Sequence, residues 1–266
     1  MEQLSDKTKA RQEALLEYLQ ALEGGIGLAF SGGVDSVYLL KMAILANANV
    51  LPFFMVSQFV PGNERKWMDI LGRFLNITPT KVVWDPFNEQ KIIKNSPTRC
   101  YYCKLAMYKK LKAVCLEKGI RHLIDGTQWD DLNSGDRPGL TAVKELGIKI
   151  PLADLGFTKK EIRQQSRVLM LPTWDRPSQS CLATRVYHGR PVTSKLLTLI
   201  EAAENFLQDM GINPIRVKIK KNGVELRCAQ KDNRLIEKRW EEIEGWMDSI
   251  GFQGVILGDV KLEAIF

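Results

Sequence analysis

Ser31-Gly32-Gly33-Val34-Asp35-Ser36 is the stretch of this chain best equipped to hold an anion. Apolar Gly27-Leu28-Ala29-Phe30 runs straight into it, and Val37-Tyr38-Leu39-Leu40 continues it as a helix opening. A strand, a glycine turn and a helix N-terminus make a phosphate cradle. The glycines let the backbone come close, and the first-turn N–H groups point at the anion. No Lys follows the second glycine and the loop is short, so this is not the Walker arrangement. The plain alternative is a tight strand-to-helix turn. The second chemical set is sulfur. Cys100 and Cys103 form a C-x-x-C pair in Arg99-Cys100-Tyr101-Tyr102-Cys103-Lys104, and Cys181 follows far along in Ser180-Cys181-Leu182. A zinc knuckle wants four ligands, and His122 and His188 have the wrong spacing to complete one. A thioredoxin-like redox pair belongs in a different fold context. Three cysteines suit a [4Fe–4S] cluster that leaves one iron open to an exogenous ligand. The C-x-x-C pair could also merely pack. Arg99, Lys104 and Arg185 flank these cysteines and favour thiolates. Cys115, among Leu111, Val114 and Leu116, reads as core, and Cys228 on an alternating strand reads as structural. Five cysteines, an odd number, argue against a disulfide framework.

The elements that must position these groups follow from periodicity. Residues 7–23 carry Leu15, Leu16, Leu19 and Leu22 at helical spacing, stopped by Gly24-Gly25. A strand over 26–31, the glycine loop and a helix to Ala46 come next. A buried strand follows at 50–56, then a helix over 62–75 and a strand at 81–84. A helical stretch over 88–118 is broken near Pro97, and Arg121-His122-Leu123-Ile124-Asp125-Gly126 is a fourth strand. Four strand–helix alternations predict a parallel sheet with helices on both faces. Ligands in such sheets bind beyond the carboxyl ends of the strands, where Ser31, Met55, Val56 and Asp125-Gly126-Thr127 lie. Thr158 with Glu161 is a capping box for a helix over 158–169. The proline-rich, polar stretch 173–192, carrying Cys181, links this domain (1–172) to an α+β domain (193–266). That second domain reads as a helix 194–210, a hairpin around Asn222-Gly223, a helix 231–249 and a closing strand at 254–257. Arg216 and Lys218 share one strand face, which is a phosphate clamp or a solvated face. Asp130-Asp131 could bind a cation or cap a loop.

The chain has 266 residues, 45% hydrophobic and 26% charged, which suits one large or two modest folded domains. No apolar run is long enough to span a bilayer, and Met1 to Lys7 lacks a signal-peptide core, so a cytoplasmic location is expected. A net charge of +7 favours polyanionic partners such as nucleotides, phosphorylated substrates or RNA. No long basic block points to nucleic acid.

Ser-Gly-Gly-x-Asp-Ser resembles the PP-loop of the ATP pyrophosphatases, which implies ATP, with Asp35 helping to hold Mg²⁺ and the Ser31 and Ser36 hydroxyls on the phosphates. Four further motifs follow in order: the segment around Cys100 and Cys103, Asp125 to Asp131, Leu155 to Arg163, and Pro177-Ser178-Gln179-Ser180-Cys181-Leu182-Ala183-Thr184-Arg185. With them the chain is similar, over nearly its whole length, to the LarE family of ATP-dependent sulfur transferases. PP-loops are widely shared, and the Pro-x-x-x-Cys-Leu-Ala-x-Arg segment is the part specific to this family.

The resemblance implies that ATP, bound by residues 31–36 with Met55 and Gly126, adenylates a carboxylate of pyridinium-3,5-biscarboxylic acid mononucleotide. Sulfur then displaces AMP to leave a thiocarboxylate. Asp35, Cys181 and Arg185 would be the catalytic groups. The resemblance further implies either that Cys181 gives up its own sulfur once, or that Cys100, Cys103 and Cys181 hold a [4Fe–4S] cluster; the presence of all three favours the cluster. Glu204, Arg216 and Lys218 match substrate and phosphate groups, although the family has Arg where Lys218 stands. An expected Arg-x-Glu reads Arg227-Cys228-Ala229 here, so no carboxylate carries over. A homo-oligomer (trimer or hexamer) and downstream cofactor-biosynthesis partners are also implied. The competing readings are a PP-loop thiolase acting on tRNA, an amidating PP-loop synthetase, and a non-catalytic nucleotide-binding regulator.

Overall fold

Apolar strand runs alternating with helical repeats fold as that rhythm predicts. The computed structural model describes residues 6–258 apart from residue 136. In chain order the elements begin α1 (Asp6–Gln20), β1 (Ile26–Ala29), α2 (Val34–Leu45), β2 (Val50–Val56), α3 (Gly62–Leu75) and β3 (Thr80–Val83). Next come α4 (Gln90–Ile93), α5 (Arg99–Glu117), β4 (His122–Asp125), α6 (Trp129–Asn133), α7 (Pro138–Glu145), α8 (Pro151–Asp154) and α9 (Lys159–Val168). The chain continues as α10 (Ser194–Asp209), β5 (Ile215–Lys220), β6 (Gly223–Cys228), α11 (Asn233–Lys238), α12 (Trp240–Ser249) and β7 (Val255–Leu257). Two compact units result. The first comprises Met1–Ser57, Asn63–Trp84 and Cys100–Ser178, and the second Gln58–Gly62, Asp85–Arg99 and Gln179–Phe266, each where described.

The first unit is α/β, with a four-stranded sheet in the order β3-β2-β1-β4, flanked by helices. Every pairing is parallel: Ala29 of β1 stands opposite Phe53 of β2 on one side and Asp125 of β4 on the other. Pro52, Phe53 and Phe54 are buried in succession, as a strand covered on both faces requires. Phe53, Tyr108, Leu111, Cys115, Leu123 and Ile148 belong to one core cluster. Burial pushes the Cys115 thiol up to about 11, so it behaves as a packing group. Strand order runs β1, β2, β3 one way and β4 the other. This reversal opens a crevice at the carboxyl ends of β1 and β4.

The second unit has a three-stranded mixed sheet, β5-β6-β7, antiparallel then parallel. Ile215, Val217 and Ile219 are buried on one face of β5, leaving Arg216, Lys218 and Lys220 on the other. Helix α10 is capped by Thr193, whose hydroxyl accepts from Leu196 N at 3.2 Å. Cys228 is buried and donates to Asn233 Oδ1 at 3.2 Å. The helix expected over 231–249 is instead α11 and α12, interrupted at Arg239, whose φ of −111° and ψ of 22° leave the helical region. Among the described residues, no helix is long and apolar enough to cross a membrane.

Candidate functional site

The crevice is built from both of its walls. After Ala29 the chain must leave the sheet, and Gly32 turns it with a φ of +74°, a conformation side chains rarely adopt. Gly33 precedes α2 in extended conformation, and among the described residues no side chain caps that helix. The first-turn amides of α2 are thereby left for an anion from outside the helix. A Cβ added to Gly33 would meet only Ser31 Oγ, at 3.5 Å, so its absence keeps the backbone face open without serving internal packing. The two serines close the loop, with their Oγ atoms 3.2 Å apart. Gly33 N donates to Ser31 Oγ at 3.4 Å and Ser36 Oγ donates to Gly33 O at 3.1 Å.

The opposite wall is Asp125-Gly126-Thr127. Asp125 accepts from Thr127 N at 2.6 Å and from the hydroxyls of Thr127 and Tyr108. Burial and the Asp125 charge push the Tyr108 phenol well above its ordinary pKa, so it remains a donor. These bonds set Gly126 against α2. A Cβ there would lie 3.1 Å from Ser36 N and 3.3 Å from the Asp35 carbonyl carbon. A side chain there would push the α2 backbone back by a few tenths of an ångström.

Asp35 sits in the first turn of α2. Its Oδ2 takes a hydrogen bond from Lys159 Nζ, while Oδ1 is shielded from solvent and has no hydrogen-bond partner among the described residues. Burial raises its pKa, and Lys159 offsets part of that rise. A shielded carboxylate oxygen left unpaired costs about 1–3 kcal/mol, and it offers a hard ligand position suited to Mg²⁺.

A third set of residues supports the loop from α3. Trp67 Nε1 donates to Gly32 O at 3.2 Å. Arg176 lies over the Trp67 ring, 4.6 Å from its centroid, and makes a bidentate pair with buried Glu64 at 2.9 and 2.7 Å. Asp130 and Asp131 act as caps. Asp131 completes a capping box at α6 with Gln128, and Asp130 Oδ2 accepts from Lys159 N at 2.7 Å at the start of α9. The expected Thr158–Glu161 box is present, and Glu161 also binds Arg11 at 2.6 Å. Cys100 and Cys103 lie in the first two turns of α5, three residues apart and so on one face, exposed and half-buried respectively. Met55 is half-buried near the end of β2.

In the second unit, Cys181 is half-buried at the head of a short 3₁₀ turn, Leu182–Arg185. Its carbonyl accepts from Thr184 N at 3.0 Å and Thr184 Oγ1 at 2.7 Å. Arg185 is 1% exposed, and its Nε and Nη2 bind Glu204 at 2.8 and 3.0 Å. Its Nη1 donates to the carbonyl and hydroxyl of Ser180 at 2.8 and 2.7 Å and to Cys181 O at 3.2 Å. Glu204 also accepts from Val217 N at 3.0 Å. Arg185 therefore holds the backbone on both sides of Cys181 and anchors it to α10. Arg216 Nη1 donates to Ser180 Oγ at 3.0 Å, and Lys218 Nζ to Thr184 O at 2.7 Å. Arg216 stands directly opposite Arg227 in the hairpin, and Arg227 donates from Nε to Glu225 Oε2 at 2.8 Å. Burial, then Arg185, Arg227 and Arg216, push Lys218 down to about 8.

The fold thus gathers Ser31, Gly32, Gly33, Val34, Asp35, Ser36 and Gly126 in the first unit, and Cys181, Arg185, Glu204, Arg216 and Lys218 in the second. Within either unit, among the described residues, no three His, Cys, Asp or Glu side chains converge as a metal-ligand set. Trp67, Arg176, Glu64 and Tyr108 were not legible as site residues, because no local pattern joins positions so far apart. Lys159 does carry a signal, lying inside the Leu155 to Arg163 motif.

No family model matches the chain. It is 33% identical over 252 residues to an uncharacterized protein of Synechocystis sp., covering 94% of this chain and 93% of the relative. It is 30% identical over 230 residues to an uncharacterized protein of Methanocaldococcus jannaschii, covering 86% and 87%. Similarity to the pyridinium-3,5-bisthiocarboxylic acid mononucleotide synthase of Lactiplantibacillus plantarum is 28% over 253 residues, covering 94% and 89%.

Proposed function

We propose that this chain, which belongs to the same family as the Synechocystis and Methanocaldococcus relatives, is an ATP-dependent sulfur transferase making a thiocarboxylate from pyridinium-3,5-biscarboxylic acid mononucleotide. The likeness to the Lactiplantibacillus synthase, which spans most of both chains, supports the substrate class. The observation that carries the reading is the uncapped N-terminus of α2, with the unpaired Asp35 Oδ1 beside it and Gly126 pressed against it.

A carboxylate resists nucleophiles until one oxygen becomes part of a good leaving group. In the first step a substrate carboxylate oxygen attacks the α-phosphorus of ATP, and pyrophosphate departs. In the second a sulfur nucleophile attacks the acyl carbon, and AMP departs with the electron pair of the broken C–O bond. The α2 amides and the Ser31 and Ser36 hydroxyls bind the phosphates, with Met55 and Gly126 lining the nucleotide. Asp35 would hold Mg²⁺, which would supply charge neutralisation at the phosphates. Arg216 and Lys218 bind the substrate phosphate, and Arg185, held by Glu204, keeps the Cys181 segment in place. By the family resemblance, Cys100, Cys103 and Cys181 would hold a [4Fe–4S] cluster. That group supplies renewable sulfide sulfur; the donor set of three thiolates suits it. A cytoplasmic homo-oligomer belongs to the same reading.

The half-reaction tests this directly. ATP–pyrophosphate exchange should appear with the pyridinium dicarboxylate nucleotide and Mg²⁺, and vanish in Asp35→Asn. Exchange that depends on unmodified tRNA instead would overturn the substrate assignment.

A further inference from the structure

We propose that Lys159 is a tethered cation that occupies the metal position at Asp35 and yields it to a divalent ion when a phosphate-bearing ligand enters. The carboxylate of Asp35 has two oxygens in unequal states: Lys159 Nζ holds Oδ2, while Oδ1 is shielded and unpaired. A single ammonium leaves one ligand position unused, whereas a divalent ion beside both oxygens would meet the ammonium at short range. Two cations cannot share this poorly solvated carboxylate without strong repulsion.

The lysine is built to move, and its neighbours are not. Its backbone N–H is fixed by Asp130 Oδ2 at 2.7 Å, and the Thr158–Glu161 box fixes the start of α9. The root of the side chain is thus anchored, and only the flexible four-carbon stem can swing. That side chain is 30% exposed, so a path towards water exists. The other charges acting on Asp35 are Arg163 and Asp131. Arg163 donates to Trp174 O at 2.5 Å and Arg176 O at 3.0 Å, and Asp131 is committed to Arg137 and the α6 cap. The displaced ammonium needs an anion, and the uncapped α2 amides are where one would sit. Metal binding is therefore weak alone and tight with a nucleotide, which couples the two ligands. This coupling rests on the ATP reading above, whereas competition between lysine and metal does not.

Mn²⁺ binding followed by electron paramagnetic resonance separates them. It is measured on wild-type protein, Lys159→Met, Lys159→Arg and Asp35→Asn, with and without a non-hydrolysable ATP analogue. Circular dichroism checks that each variant folds. Without nucleotide, Lys159→Met should bind Mn²⁺ about tenfold more tightly than wild type, a change equivalent to one strong ion pair. Lys159→Arg should stay weak, and Asp35→Asn should lose binding. The analogue should tighten Mn²⁺ strongly in wild type and much less in Lys159→Met. Equal or weaker nucleotide-free binding in Lys159→Met overturns the proposal. A gain in Lys159→Met with no analogue binding by any of the proteins leaves the lysine exchange standing and overturns the ATP reading instead.

Discussion

Glu204→Gln removes the charge from a pair that is almost wholly enclosed, with Arg185 1% and Glu204 5% exposed. The carboxylate accepts from Arg185 Nε at 2.8 Å, Arg185 Nη2 at 3.0 Å and Val217 N at 3.0 Å. Glutamine keeps the shape but turns an amide NH₂ towards a guanidinium donor, so one contact becomes repulsive and Arg185 is left a buried, uncompensated cation. Breaking a buried pair in this way costs about 3–5 kcal/mol. Nη1 keeps its bonds to Ser180 and Cys181 O, which places the expected loss near the lower figure, about 3 kcal/mol. Trp246, stacked on Phe206 at 4.1 Å, reports on the second unit, so fluorescence-detected urea unfolding is the assay. At an m-value of about 2 kcal/mol/M the midpoint should fall by roughly 1.5 M. Replacing both partners by leucine should cost less than the two single leucine changes added together, because neither charge is stranded. A loss below about 1 kcal/mol for Glu204→Gln, the range of exposed pairs, would refute the claim that this pair anchors the Cys181 segment.

Three other perturbations probe the remaining walls. Gly126→Ala places a Cβ against Ser36 N and the Asp35 backbone, which cannot yield as a side chain would. The expected result is a stability loss of about 1–3 kcal/mol in thermal melts and ATP binding weakened about tenfold by calorimetry. Tyr108→Phe strips a buried donor from Asp125 and should cost about 1.5–3 kcal/mol, with weaker nucleotide binding and no change in anion binding by the second unit. Lys218, held near 8 in the fold against an ordinary 10.5, loses its charge as pH rises through about 8. Binding of inorganic phosphate to the second unit should weaken across that step, while Lys218→Arg should flatten the profile. Stability runs the other way, because between about 8 and 10.5 the unfolded chain holds more protons, so it rises with pH in that window.

Where the residue pattern is local, the fold was legible. The apolar run into Ser31-Gly32-Gly33, the 62–75 helix and the Thr158–Glu161 box form as spacing and cap chemistry predict, whereas the expected hairpin forms with its two-residue turn on Lys221-Asn222, so that Gly223 opens β6 opposite Lys220. The short helices α6 and α8 carry no periodic signal because neither is long enough for two turns, and α7, just over two turns long, has no side-chain N-cap to mark its start. The break between α11 and α12 carries no Gly or Pro, so composition leaves it unmarked. In the site, the glycine loop and Gly126 were visible as strand ends. The contacts that give the loop its properties join Asp35 to Lys159, Gly32 to Trp67 and Glu64 to Arg176, and only the strand order brings those pairs together. The burial of Arg185 likewise depends on α10 and β5 lying on either side of it, which one segment cannot reveal.

The most direct measurement is the complete reaction, run anaerobically with protein purified under nitrogen, ATP, Mg²⁺, pyridinium-3,5-biscarboxylic acid mononucleotide and sulfide, with products read by mass spectrometry. The account predicts a thiocarboxylate formed in step with AMP and pyrophosphate, through repeated turnovers, and lost in Cys181→Ser. AMP and pyrophosphate without sulfur in the nucleotide, or sulfur passing only to unmodified tRNA when that is added in place of the nucleotide, would contradict it.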